Sequence, residues 1–83
     1  MNLALNEPLH GFNKLTYSDQ VANFIKESLV RGDISPGDQI KEVVLAQKLS
    51  MSRAPIREGL QILVQEGIVV EIQNSIKGCE VVP

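Results

Sequence analysis

Apolar residues recur at helical spacing in the first part of the chain, and this pattern predicts a first helix. The apolar positions follow a period of about 3.6 residues and are Val21, Phe24, Ile25 and Leu29. Thr16 or Ser18 is suited to cap the start of this helix, and Gly32 is suited to end it. The stripe therefore predicts one side of a hydrophobic core.

Two further helical patterns follow, joined by the short turn Ser50-Met51-Ser52. The second helix is predicted from Lys41 to Leu49, and the third from Arg53 to Glu66. In the third helix, the side predicted to face the core carries Ile56, Gly59, Leu60 and Leu63. The opposite side is polar and carries Arg57, Gln61 and Gln65. Two helices joined by so short a turn are typical of a helix-turn-helix.

The spacing of apolar residues changes to a period of two after Gly67, which predicts strands. Along this stretch Ile68, Val70 and Ile72 alternate with Val69, Glu71 and Gln73. A turn at 73–75, with Lys77-Gly78 as its far end, leads into a returning strand at 79–82. The predicted fold is mostly α with a small β-hairpin: a winged helix-turn-helix with three helices and a wing at about 68–82.

The chain divides into an arm and a domain. Residues 1–15 show no dominant period, although they carry Leu3, Leu5, Leu9 and Phe12. These residues either pack loosely on the domain or meet a second subunit. Residues 16–83 are predicted to form the winged helix-turn-helix. Within it, Pro36-Gly37 favours a type II turn with glycine at positive φ, linking the first two helices.

The overall charge argues mildly against nucleic-acid binding, because such domains are usually basic. The chain of 83 residues has a net charge of −2, and its isoelectric point is near 5.2. From Lys41 to Gln65, however, four basic residues outnumber two acidic ones, so this segment is +2. A locally positive face on an acidic chain can still bind phosphates.

The sequence offers little for catalysis or metal binding. It shows no plausible nucleophile–base pair, metal-ligating cluster or phosphate-cradling glycine loop, so we expect no enzyme activity. Cys79 is the single cysteine, and we expect it to be a small buried hydrophobe in a reducing cytoplasm. Neither a signal peptide nor a membrane span is predicted.

The polar face of the third helix carries the residues expected to read DNA. The first residues of such a helix meet base edges in the major groove, and the planar fork of arginine matches the acceptors of guanine. Arg57 is the first candidate for a base contact, and Arg53 is a candidate for a base or a phosphate. Ser52 is a candidate for a phosphate and Ala54 for a thymine methyl group. Gln61 is placed to reach a base or a bridging water.

A second interpretation remains open, in which the winged helix contacts another protein and has little DNA affinity. The negative total charge favours it, as does a wing that carries Glu71 and only Lys77. Lys41 and Lys48 would contact phosphates in the first interpretation. In the second they would be ordinary surface charges.

The run from Pro36 to Val69, followed by a hairpin glycine at Gly78, resembles the amino-terminal domain of the GntR family of bacterial transcription regulators. The resemblance extends from about Tyr17 to Val82. Its most specific part is SRAPIREGL at 52–60, followed by Leu63 and Glu66-Gly67. The form of residues 40–46 is more similar to the FadR-like branch, which has an all-helical sensor domain.

The resemblance implies a winged helix that binds a short palindromic DNA operator as a homodimer. Members normally continue into a larger carboxyl-terminal domain that binds a metabolite effector. We expect that domain to be absent here, so that this chain needs no cofactor. In the family, residues matching Ser52, Arg53, Ala54 and Arg57 lie at the DNA, and the hairpin tip enters the minor groove or touches the backbone. The full candidate set is Lys41, Lys48, Ser52, Arg53, Ala54, Arg57, Gln61, Asn74, Lys77 and Gly78.

The chain departs from the family pattern in the wing, which bears Glu71 and only Lys77 where relatives are often arginine-rich, and at three residues of the helices and their turn. Ser50 stands where glycine is usual in the turn, and a left-handed serine there would cost on the order of 1 kcal/mol. Val43 stands where many members carry a DNA-contacting arginine. Gly59 replaces a usual alanine in the third helix, at an expected cost of roughly 0.5–1 kcal/mol.

Overall fold

The structure is a computed structural model that describes residues 15–72 and 77–83. In this part of the chain three helices alternate with three short strands. They are α1 (Tyr17–Arg31), β1 (Gln39–Lys41), α2 (Glu42–Leu49), α3 (Arg53–Gln65), β2 (Val69–Glu71) and β3 (Gly78–Val81). The predicted arm, except for Leu15, and the predicted hairpin turn lie outside the described residues.

Helix α1 is closed at both ends, as its sequence predicts. The Thr16 side chain accepts a hydrogen bond from the Asp19 amide, and the Asp19 carboxylate accepts one from the Thr16 amide. This reciprocal pair is a capping box, and it satisfies two amides in the first turn. At the other end, Gly32 adopts a left-handed conformation with φ 83°. Both predicted boundaries are confirmed.

Helices α2 and α3 are joined by the predicted turn. Ser50 is left-handed, with φ 54° and ψ 46°, so the serine that replaces the usual glycine does sit in a strained backbone position. Helix α3 begins at Arg53, as predicted. The predicted start of the second helix is wrong by one residue, because Lys41 has extended backbone and belongs to β1.

The three strands form one antiparallel sheet in the order β1-β3-β2. Strand β1 adds a third strand to the predicted hairpin, with Ile40 opposite Cys79 and Lys41 opposite Gly78. A side-chain β-carbon at Gly78 would overlap the Ile40 carbonyl oxygen. Glycine at this position is therefore required for the wing to pair with β1.

The core lies between α1, α3 and the sheet, and its largest fully buried side chains are Val21, Ile25, Ile56, Leu60, Leu63 and Val69. In the first wing strand Val69 faces the core, whereas Val70 is half exposed. Gly59 lies where α1 and α3 touch. A β-carbon there would come within 2.6 Å of Val21 and 2.9 Å of the Ser18 carbonyl oxygen. Its expected cost in helix propensity is therefore offset by closer helix packing.

Three helices and a hairpin that packs beside them confirm the predicted fold class. The molecule is a winged helix-turn-helix, in which α2, the turn and α3 form the helix-turn-helix. The wing is formed by β2 and β3. This arrangement places the wing beside α3, and residues of both line one groove.

Candidate nucleic-acid interface

The start of α3 is exposed and has no internal cap. Ser52 occupies the N-cap position with extended backbone, but its side chain makes no capping hydrogen bond. No acidic residue lies in the first turn. Pro55 has no amide hydrogen to satisfy. The amides at this end and the Ser52 hydroxyl are therefore available to an acceptor outside the helix, and the helix dipole favours a negatively charged one.

Two arginines stand on this end of α3, one turn apart. The side chains of Arg53 and Arg57 are 43% and 53% exposed. The predicted outward placement of both groups is confirmed by these exposures. Ala54, between them, is also exposed and leaves room for close approach.

A buried carboxylate on α2 joins the two arginines. The Glu42 Oε1 atom accepts a hydrogen bond from Arg53 Nη2 at 2.9 Å and lies 3.5 Å from Arg57 Nη2. Burial raises the pKa of Glu42, but the hydrogen bonds and charges of Arg53 and Arg57 outweigh it and hold the pKa below its ordinary 4.5. Glu42 is therefore negatively charged at neutral pH, and the cluster of three side chains carries a net +1.

A groove between α3 and the wing collects several predicted residues. It has a volume of about 510 Å³, and its wall includes Arg57, Gln61, Lys77 and Gly78. Glu42 and Glu71 line the same groove, so its charge is mixed rather than purely basic. The groove makes α3 and the base of the wing one continuous surface.

The two predicted phosphate-binding lysines lie elsewhere. Lys41 and Lys48 line a second groove of about 580 Å³, formed with residues of α1 and the following turn such as Phe24 and Ile34. The structure does not bring them into the groove that holds Arg57. Asn74 lies outside the described residues, so its contact with DNA stays a prediction.

Glu42 is the member of this site that sequence reasoning missed. It is eleven residues before Arg53 in the chain, and a helix boundary and a turn separate the two. Helical periodicity relates residues of one helix only, so it cannot pair them. The sequence does show an acidic residue at the start of one helix and two outward-facing arginines at the start of the next helix. This combination is the signal that could have indicated the contact.

Other chemistry is sparse in the described residues. Cys79 is buried, and burial together with the charges of Glu71 and Glu42 raises the pKa of its thiol to about 11. The thiol is thus protonated and behaves as a small apolar group, as predicted. The described residues hold no group of three or more His, Cys, Asp or Glu side chains that could bind a metal. None of the described helices combines the length and apolar character needed to cross a membrane.

The fold and the arginine-bearing helix start define a class, the winged helix-turn-helix domains. Residues 17–81 match the family model described as bacterial regulatory proteins, gntR family. The chain belongs to the GntR family.

Individual relatives agree with this assignment. The chain is 37% identical over 57 residues to the mannosyl-D-glycerate transport/metabolism system repressor MngR of Escherichia coli K12. It is 36% identical over 53 residues to YdhC of Bacillus subtilis 168, an uncharacterized HTH-type transcriptional regulator. The matches cover 68% and 64% of this chain and 24% of each relative. The chain thus matches about a quarter of the length of these proteins.

A solved complex has the same fold. The structure of AraR(DBD) in complex with operator ORX1 superposes with a TM-score of 0.72 at 30% sequence identity. The match covers 82% of this chain and 81% of that one. The fold seen here is therefore also the fold of a domain solved with its DNA operator.

Proposed function

We propose that this domain binds double-stranded DNA sequence-specifically and thereby regulates transcription. The observation that carries the proposal is the uncapped start of α3 with two exposed arginines. Helix α3 enters the major groove, and the wing lies at the minor groove or the backbone. The AraR domain supports DNA binding, because it has the same fold and was solved in complex with its operator.

Each residue at the start of α3 has a role that follows from its chemistry. Arg57 contacts a base, preferably guanine, and Arg53 contacts a base or a phosphate. Ser52 donates its hydroxyl to a phosphate beside the open helix end. Ala54 allows contact with a thymine methyl group, and Gln61 reaches a base or a bridging water from the groove wall.

The remaining candidates contribute affinity rather than base choice. Lys77 is exposed at the edge of the α3–wing groove and contacts the DNA backbone. Asn74, which the sequence predicts in the hairpin turn, contacts the DNA backbone with it. Gly78 acts through the fold, since only glycine fits opposite Lys41. Lys41 and Lys48 contact phosphates on the flank of the site.

The proposal extends to the usual form of the family, in which such a domain is joined to a carboxyl-terminal sensor domain. Two copies bind a palindromic operator as a homodimer, because two-fold symmetric sites match two-fold symmetric proteins. A metabolite effector acts through a separate carboxyl-terminal domain, in bacterial cytoplasm, without catalysis. The form of residues 40–46 supports assignment to the FadR-like branch.

Fluorescence anisotropy with a pool-selected duplex and a scrambled duplex, each at several salt concentrations, tests the proposal. We expect Arg57→Ala to lose about 1–3 kcal/mol on the selected duplex and to relax discrimination at one base pair. Arg31→Ala is the matched control, because it removes an exposed arginine that pairs only locally with Asp33. Equal binding of every duplex by the parent and by Arg57→Ala would contradict base reading. Failure to bind any duplex at low salt would favour the protein-interaction alternative.

A further inference from the structure

Glu42 is far more buried than the two arginines that it contacts. Its side chain is 9% exposed, against 43% for Arg53 and 53% for Arg57. Its backbone is also fixed, because its amide donates to the Lys77 carbonyl at the base of the wing. The carboxylate is therefore an anchor inside the domain, from which the guanidinium groups extend towards solvent.

The contacts with Glu42 leave most of each guanidinium group unused. A guanidinium has five N–H donors in a planar fork. In each arginine it is Nη2 that approaches the carboxylate, and the same oxygen, Oε1, serves both. Each arginine thus keeps donors for a base edge while one of its nitrogens is held in place.

The contacts between Glu42 and the two arginines affect sequence-specific and sequence-independent DNA binding in opposite ways. Holding both side chains before DNA arrives reduces the conformational entropy lost on forming a geometrically exact base contact. The negative charge of Glu42 at the same time weakens the attraction of the face for any phosphate. The first effect favours the correct sequence, and the second disfavours all sequences equally.

We propose that Glu42 is a positioning residue that sets specificity: it orients Arg53 and Arg57 for base contact and suppresses sequence-independent binding to the DNA backbone. The inference rests on the proposed DNA-binding function and deepens it. It assigns to α2 a role in base discrimination that does not require α2 to touch a base.

The test compares Glu42→Gln with Glu66→Gln, which removes the same charge elsewhere. Glu66 pairs with Lys26 at 2.8 Å and lies at the other end of α3, about 20 Å from Arg53. Dissociation constants for the selected and scrambled duplexes are measured against salt. For Glu42→Gln we expect the specificity ratio to fall about tenfold and the salt slope on the scrambled duplex to steepen by about one. Glu66→Gln should leave the ratio within about twofold of the parent, and Glu42→Asp should restore part of it.

The outcomes separate the two claims. A parent that does not distinguish the duplexes overturns the proposed function and the inference with it. A parent that discriminates, with a ratio equally preserved in Glu42→Gln and Glu66→Gln, overturns the inference alone. Circular dichroism melting gives the folded fraction of each variant, so a loss of fold is not counted as a loss of specificity.

A second measurement needs no variant. Nitrogen-15 NMR of the free protein reports rotation of each guanidinium group about its Nε–Cζ bond. We expect hindered rotation for Arg53 and Arg57. We expect fast averaging for Arg31, because both side chains of its ion pair with Asp33 are exposed to solvent. Fast averaging at all three arginines would overturn the inference even if Glu42→Gln failed to fold.

Discussion

The two helices that pack against each other in this domain begin in opposite ways. The start of α1 is closed by a capping box between Thr16 and Asp19. The start of α3 has Ser52 in the same position but no capping hydrogen bond, and no acidic residue in its first turn. The start of α1 is thus capped by side chains of the domain itself, whereas the start of α3 has no side-chain cap.

The difference is large on the scale of domain stability. A good N-cap contributes about 0.5–2 kcal/mol, and small domains are stable by only about 5–15 kcal/mol in total. Leaving α3 uncapped therefore forgoes an appreciable fraction of the available stability. The end that forgoes it is the one that carries Arg53 and Arg57, as expected where a site is organised for binding rather than for folding.

The largest effect on the free energy of unfolding is expected from a substitution at the contact between α1 and α3. Gly59→Ala places a β-carbon 2.6 Å from Val21, and the two helices must separate to accommodate it. We expect a loss of about 1–3 kcal/mol in the free energy of unfolding, measured by urea denaturation. Gln61→Ala on the exposed side of α3 should change it by less than about 0.5 kcal/mol. A more stable Gly59→Ala variant would show that α1 and α3 are not closely packed at this point.

Removing the two N-cap hydroxyls compares the helix ends directly. Thr16→Ala should lower the free energy of unfolding by about 1 kcal/mol, because it opens the capping box. Ser52→Ala should lower it by less than about 0.5 kcal/mol, since that side chain makes no cap. Equal losses in urea denaturation would mean that Ser52 caps α3 in solution and that the two ends are alike.

A substitution in the turn that leads into α3 is expected to have a smaller effect on the free energy of unfolding, and to raise it rather than lower it. Ser50 is left-handed with φ 54°, a conformation in which serine is strained and glycine is not. Ser50→Gly should therefore raise the free energy of unfolding by up to about 1 kcal/mol. DNA affinity should stay within about twofold of the parent, because the start of α3 does not move. A lower melting temperature for Ser50→Gly would show that the serine side chain stabilises the turn.

Much of the fold could be predicted from the sequence because its signals are local. The stripe of α1, the Thr16 cap, the turn before Ser52 and the change of period after Gly67 each depend on neighbouring residues, and each is present in the structure. Strand β1 could not be predicted in this way. Gln39–Lys41 is too short to show a period, and its pairing with β3 joins distant parts of the chain.

The candidate site could likewise be predicted only where its residues lie on the same helix. Periodicity placed Arg57 and Gln61 on the exposed face, and the structure puts both on the wall of one groove. It could not separate Lys41 and Lys48 from them, because these lysines line a groove together with residues of α1, and that groove exists only in the folded domain. Nor could it assign Glu42 to Arg53 and Arg57, since that contact forms only when α2 and α3 pack together.

Placing a negative charge at the N-cap of α1 and, separately, at the N-cap of α3 is the most direct test of whether only the start of α3 reads DNA. Ser52→Asp and Thr16→Asp each introduce one carboxylate at an N-cap position, where aspartate is favoured for stability. We predict that Ser52→Asp keeps or raises the melting temperature but weakens binding to the selected duplex at least tenfold, an effect of about 1.4 kcal/mol. Thr16→Asp should leave binding within about threefold. Equal weakening by both variants, or by neither, would contradict a DNA-reading role for the start of α3.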